Sequence, residues 1–272
     1  MNNNKNKTKP LISVIVTTYN RKNELKQAVK SILAQTFDNF EIIIVDNYSD
    51  YNIHKLINSF KDLRIVLIQN HNNGNYVISR NLGIKKAKGS FIAFCDDDDY
   101  WLPHKLESQL KLFDNKKDVG LVYSKCYMLK NNKIYRTAPN MKLYNGYVFH
   151  KMIVIPSVPI LTALVRREVF NKIGLFNKDR AVICQEDNEF WIRLSKYFKV
   201  KSSEEPTAVY REHTGNFANE HGITFKARLY LHRHMLRMKT ISLLEWFCFA
   251  LPGMIFSHFG RKVIFIFRRF IQ

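Results

Sequence analysis

The sequence carries no glycine-rich phosphate cradle. Neither G-x-G-x-x-G nor G-x-x-x-x-G-K-[ST] occurs in its 272 residues, and its ten glycines are scattered. Any nucleotide is therefore expected to be held by side chains and a cation rather than by a loop of backbone amides. Cysteine is scarce as well. Cys95, Cys126, Cys184 and Cys248 lie far apart without a CxxC pair, which argues against a disulfide framework or a structural zinc site and fits reduced thiols in a cytosolic protein. Acid is short against base, 23 Asp and Glu against 43 Lys and Arg, leaving a formal charge of +20. A surplus of that size calls for an anionic partner: nucleic acid, a membrane or a small anion. No apolar stretch follows the polar opening MNNNKNKTK, so residues 1–9 read as a flexible tail and a secretory signal peptide is not expected.

What is present reads as one globular α/β unit. Hydrophobic residues make up 46% and aromatics 13%, well outside the disordered range. Short apolar runs at 11–17, 40–46, 64–69, 90–95 and 119–124 are rich in Val, Ile and Phe, as buried parallel strands are. Between them, Leu25, Ala28, Val29, Ile32 and Leu33 trace one helical face. Ile53, Leu56, Ile57 and Phe60 do so after Asp50 as N-cap, and Leu106, Leu110 and Phe113 after Pro103. The alternation predicts a mostly parallel sheet with helices on both faces, and ligands then bind outside the carboxyl ends of the strands. From 126 to 175 the pattern is less regular. A hairpin is expected around Asn131-Asn132, an irregular stretch over 144–159, an apolar run over 160–165 and a helix over 169–173 stopping at Gly174. A further helix is expected over 187–197.

The residues that point to chemistry are Asp96-Asp97-Asp98-Asp99, directly behind the apolar run ending at Cys95. An isolated acidic run is as readily a solvated turn or a cap. At the carboxyl end of a central strand, however, it faces the ligand crevice, where a hard divalent cation would relieve the repulsion and bridge to phosphate. Gln185-Glu186-Asp187 opens a helix, where acids also serve as simple caps. Tyr210-Arg211-Glu212-His213 sets a guanidinium two residues from an imidazole, a weak signal alone.

Taken in order, PLISVIVTTYNR, FEIIIVDNYSD, NNGNYVISRNLGIKKAKGSFIAFCDDDDYWLPHKLESQ, LVRREVFNKIGLFN, QEDNEFWIRLS and YREH resemble the family 2 glycosyltransferases of GT-A fold over residues 10 to 215. The resemblance implies an inverting, metal-dependent enzyme that moves a sugar, a hexose in the family's usual case, from a nucleotide-sugar donor to an acceptor hydroxyl. It implies that Thr17, Tyr19, Arg21 and Arg80 line the donor site, with Asp46 and Asn47 at the base. The family's second acid is Asn47 here, which removes a carboxylate contact to a uracil imide and brings other bases into reach. Asp96 and Asp97 fall with the donor and Asp98 with Mn²⁺ or Mg²⁺, although a run of four aspartates also admits a register displaced by one. Asp187 matches the general base and Glu186 its acidic neighbour. Arg211 and His213 match a segment closing over the diphosphate, the histidine reaching the metal.

On this reading residues 10–225 form the catalytic domain, with a nucleotide-sugar half (10–125) and an acceptor half (126–225). Residues 226–272 form a basic, amphipathic helical segment, nine Lys or Arg to one acid, interleaved with aromatics. Three arrangements of that segment are open: lying on an anionic membrane surface, packing internally or in a homodimer, and, with Glu245, Pro252, Gly253 and His258 against it, a span. The first is expected, together with a glycan or lipid-linked glycan acceptor, a location on the inner face of the cytoplasmic membrane, and a role in bacterial surface polysaccharide or lipooligosaccharide synthesis. Two rivals remain. A nucleic-acid-binding protein explains the charge but lacks a binding module, and DDDD would repel phosphate. A sugar nucleotidyltransferase is expected to carry a Gly- and Lys-bearing loop where this chain has TTYNR.

Overall fold

In the computed structural model, residues 9–113, 117–182, 184–212 and 225–252 are described. Residues 1–8 of the expected tail, His213 and the end of the chain from 253 lie outside them. The five expected strands all form: β1 (Ile12–Thr18), β2 (Phe40–Asp46), β3 (Ile65–Gln69), β4 (Phe91–Asp96) and the opening of β6 (Val119–Lys130). Side chains alternate between two cores, one on each face of the sheet. Ile42 and Ile44 of β2 pack with Leu25, Val29 and Ile32 of α1 (Lys22–Leu33). Ile43 and Val45 pack on the other face with Val77 and Ile84 of α3 (Tyr76–Lys86). Burial on both faces is why these strands read as continuous apolar runs.

β3, β2, β1 and β4 are parallel neighbours in that order. The sheet is then not mostly parallel but mixed. The three-residue β8 (Leu164–Arg166) inserts antiparallel between β4 and β6, so the run at 119–124 does not pair with β4 as a fifth parallel strand. On the far side of β6 comes β9 (Lys199–Glu212), parallel to it, then the two-residue β5 (Tyr100–Trp101), antiparallel to β9. β9 gave no sequence signal because its alternation is broken. Ser124 pairs with Ser203 and Cys126 with Ala208, so residues 204–207, Pro206 among them, bulge opposite Lys125.

The expected hairpin closes β6 onto β7 (Lys133–Ala138) with Asn131 and Asn132 at φ 49° and 58°, the left-handed pair of a type I′ turn. α2 (Ile53–Ser59) is capped by Asn52, whose side chain accepts from Lys55 N, not by Asp50. α4 (Lys105–Lys111) starts two residues beyond Pro103, and the stretch read as irregular contains α5 (Phe149–Val154). α6 (Arg167–Ile173) ends at Gly174 with φ 80°, as its position after the last apolar residue implies. α7 (Glu186–Ser195) is the helix expected from 187. α8 (Phe225–Arg237) and the single turn α9 (Leu243–Glu245), which runs on into a wider-wound stretch Trp246–Ala250, follow. Leu231, Met235, Ile241 and Ala250 from this stretch fill the same core as α5 and α7.

β1 and β4 are pinned at their amino ends by a buried polar knot. Ser13 Oγ donates to Glu41 Oε1 (2.6 Å), which also accepts from Lys88 N (2.7 Å), and Gly89 N donates to Ser13 Oγ (2.8 Å). A Cβ on Gly89 would stand 2.6 Å from Ser13 N, against backbone that cannot give way. Gly89→Ala is therefore expected to lower stability by about 1–3 kcal/mol. Urea unfolding checks this: the midpoint should fall with the slope unchanged.

Candidate active site

The register of the parallel strands brings their polar ends to one edge. Thr17 pairs with Val45 and Asp96, Thr18 with Asp46, and Asp46 with Gln69. The first turn of α7 faces the same edge, because buried Arg80 on α3 reaches both ways. Its Nη1 donates to Glu186 Oε1 (2.9 Å) and its Nη2 to Asp96 Oδ1 (3.3 Å). Two acidic motifs about ninety residues apart in sequence thus share one guanidinium. The rings of Tyr76 and Phe176 lie 5.2 and 5.5 Å from its Cζ. Arg80 therefore stands between the two acidic motifs.

The four aspartates alternate in environment. Asp97 and Asp99 are buried, whereas Asp96 and Asp98 keep partial exposure. Asp97 is turned back into the loop after β1, where its carboxylate accepts from Thr18 Oγ1 (2.8 Å), Tyr19 N (3.3 Å) and Arg21 Nη1 (3.0 Å). Burial pushes its carboxyl up to about 6 against the pull of Arg21. Asp99 accepts from Arg211 N (2.9 Å) on β9, and burial, followed by the charges of Asp98 and Asp96, holds it well above the usual carboxylate range. Asp98 Oδ2 meets Arg21 Nη1 at 2.8 Å.

Among the described residues no three His, Cys, Asp or Glu side chains gather into a ready cation cage. Asp96 and Asp98 do offer two partly exposed carboxylates within one short turn. Mg²⁺-type ions are held in that way, by one or two carboxylates with phosphate oxygens and water completing the shell.

The remaining expected residues fall as follows. Thr17 is half-buried at the end of β1, and Tyr19 is exposed beside it. Asp46 has no exposure, and its carboxylate accepts from Ser49 N, Ser49 Oγ (2.6 Å) and Gln69 Nε2 (3.1 Å), so it shapes the loop after β2 from within. Asn47 fixes the next loop by accepting from Asn72 N (2.9 Å). The Arg211 guanidinium donates to Gln27 Oε1 (2.6 Å) on α1 and its Cζ lies 5.8 Å from the Tyr100 ring.

Asp187 is partly exposed and accepts from Asn188 N (2.7 Å). Burial first, then the charge of Glu186, pushes its carboxyl up to about 7, a range suited to exchanging a proton near neutrality. Sequence reasoning missed Tyr76, whose hydroxyl lies 3.2 Å from Glu186 Oε2, so both oxygens of Glu186 are held. It also missed Thr18 as the partner of Asp97. Nothing local marks either: a tyrosine at the start of a helix with little amphipathic pattern acquires its role only when α7 arrives.

The sequence matches the family model for Glycosyl transferase family 2 over residues 13–174. It is 31% identical over 210 residues to the UDP-Glc:alpha-D-GlcNAc-diphosphoundecaprenol beta-1,3-glucosyltransferase WfaP of Escherichia coli, spanning 76% of this chain and 79% of that protein. The fold is similar to S. aureus TarS 1–349 in complex with UDP-GlcNAc, with TM-score 0.70 at 18% identity over 90% of this chain and 72% of that one. It is also similar to the mannosyltransferase PcManGT of Pyrobaculum calidifontis in complex with GDP-Man and Mn²⁺, with TM-score 0.66 at 16% identity over 93% and 71%.

Proposed function

The chain belongs to glycosyl transferase family 2, and from that footing we propose that it moves a hexosyl group from a nucleoside-diphosphate sugar to a hydroxyl of a lipid-linked glycan, with inversion at the anomeric carbon. The observation that carries this reading is Arg80, which joins the Asp96 side of the crevice to the Glu186-Asp187 side. One motif would serve the leaving diphosphate and the other the incoming hydroxyl.

The acceptor oxygen attacks the anomeric carbon as the bond to the diphosphate oxygen breaks, and that electron pair leaves on the diphosphate. Asp187 takes the hydroxyl proton on a carboxylate oxygen. Glu186, held at both oxygens by Arg80 and Tyr76, is a fixed negative charge that keeps Asp187 basic. One base and direct displacement leave no covalent carboxylate intermediate, unlike in a retaining glycosidase.

Asp96 and Asp98 would hold Mn²⁺ or Mg²⁺, which when bound neutralises charge on the leaving diphosphate as a Lewis acid. Arg21 orients Asp98 and stands at the same edge, where a guanidinium adds to diphosphate stabilisation. Arg211 and His213 would close over the diphosphate from β9 and the residues beyond it. Thr17, Tyr19 and the Asn47 amide line the nucleoside side. Asp97 and Asp46 act there through the loops they fix. The acceptor named for WfaP, a diphosphoundecaprenol-linked GlcNAc, supports a lipid-linked acceptor. It also supports a reaction on the inner face of a bacterial cytoplasmic membrane, in surface polysaccharide or lipooligosaccharide assembly. No helix among the described residues is long and apolar enough to cross that membrane.

Calorimetric titration of nucleoside diphosphates with and without Mn²⁺, on wild type and Asp98→Ala, tests the reading. One nucleotide should bind in a cation-dependent way, and the variant should lose at least about tenfold in affinity, the loss of one charge-assisted ligand. Unchanged affinity in the variant would remove Asp98 from the cation. No nucleotide binding at all would sink the proposed donor.

A further inference from the structure

The described C-terminal segment carries large apolar side chains that are buried and others that are exposed. Leu231, Met235, Ile241 and Ala250 are buried in the core, with Trp246 and Phe249 leaning on it. Facing away from it, Met238, Leu243, Leu244 and Phe247 are 64%, 67%, 73% and 58% exposed. A single exposed leucine is ordinary, but four large apolar side chains within ten residues around one corner form a patch.

The rim of this corner is positive. Arg233, Arg237 and Lys239 are exposed, and Lys196 reaches in from the end of α7 to donate to Thr240 O (2.8 Å). The acid of the segment, Glu245, is drawn inward, accepting from Ser242 N (2.7 Å) and facing His150 Nε2 (3.5 Å). The occupant follows from that charge. A second copy docking by a two-fold contact would bring the same cations face to face. A bilayer containing anionic lipid complements both features at once, its acyl boundary taking the side chains and its headgroups the cations.

We propose that Met238, Leu243, Leu244 and Phe247, flanked by Arg237 and Lys239, form the edge by which this protein docks on an anionic bilayer. The inference names the partner surface of the proposed lipid-linked acceptor and rests on that reading for its purpose. α8 also joins this edge to the segment that leads into Glu186 and Asp187, through Asn177 Nδ2 and His234 Nε2 (2.8 Å) and through Tyr230 and Asp179 (3.4 Å).

Co-sedimentation of the full chain with vesicles tests it, using phosphatidylcholine alone and phosphatidylcholine with phosphatidylglycerol. Wild type should pellet with the anionic vesicles only. The triple variant Leu243→Ser, Leu244→Ser, Phe247→Ser and, separately, Arg237→Glu with Lys239→Glu should each lose at least about tenfold in partition. Because all five side chains are exposed, melting temperature and transfer to a water-soluble acceptor should stay unchanged, which separates failure of docking from failure of the proposed activity. Undiminished pelleting in the apolar variant would overturn the proposal. So would a dimer in light scattering that the same variant converts to monomer without altering vesicle binding.

Discussion

Asp187→Asn is expected to lower kcat about 10²–10⁴-fold, the usual contribution of a positioned base, while donor affinity stays within about threefold, an allowance for experimental scatter around unchanged binding. The amide keeps the shape and the acceptor for Asn188 N, so the loss should sit in the chemical step. In the wild type, log(kcat/KM) should climb with pH and level off above about 7, since the base works only when deprotonated and its carboxyl is pushed up to about 7. Removing the Glu186 charge with Glu186→Gln should move that limb to lower pH, because the charge next to Asp187 is one of the two main causes of the shift.

The stability sign runs the other way. A carboxyl whose folded pKa is raised costs the fold nothing below its unfolded value near 4 and costs it fully above about 7. Asp187→Asn should therefore melt higher than wild type at pH 8 and equally at pH 4. A variant that loses activity by misfolding would melt lower at both. Undiminished turnover in Asp187→Asn would take the residue out of the role.

Arg80→Met should be the most destabilising single change at this site. Arg80 and Glu186 side chains are 4% and 5% exposed, so removing the guanidinium strands Glu186 as an uncompensated buried charge and frees Asp96. Breaking such a pair costs about 3–5 kcal/mol, a fall in Tm of roughly 6–20 °C for a domain of this size. Arg80→Lys should recover only part of it, since one ammonium cannot hold Glu186 and Asp96 as a planar fork does. Adding Glu186→Gln to Arg80→Met should restore much of the Tm and none of the transfer activity, because the stranded charge is gone but the bridge between the two motifs is not rebuilt. A Tm change below about 2 °C in Arg80→Met, less than 1 kcal/mol, would mean the ion pairs seen here do not hold the crevice together.

The parts of the fold legible in sequence are those whose signal is local. The apolar runs of β1 to β4, the Asn131-Asn132 turn and the glycine stop of α6 each need only a few consecutive residues to declare themselves. β9 did not, because a bulge carrying Pro206 breaks its alternation and its partner β6 lies about eighty residues away. β8 is three residues long, and its antiparallel insertion turned an expected parallel sheet into a mixed one. The site divides in the same manner. DDDD behind an apolar run and ED at the head of a helix could be picked out, yet identical letters hid four different environments.

The sequence by itself determined the chemistry available: carboxylates behind the apolar run ending at Cys95 and at the head of a helix near 187, the Arg80 guanidinium, and a family-wide order of motifs. It also determined an apolar, basic C-terminal segment. Only the tertiary structure decided which aspartates keep some exposure, because that depends on Thr18, Arg21 and Arg211 N, on segments up to 112 residues away, claiming Asp97 and Asp99. It likewise decided that Arg80 serves both acidic motifs and that Tyr76 completes the hold on Glu186. Those roles are set by distance in space, and the burial that shifts Asp187 exists only in the folded chain, with Glu186 and Arg80 beside it.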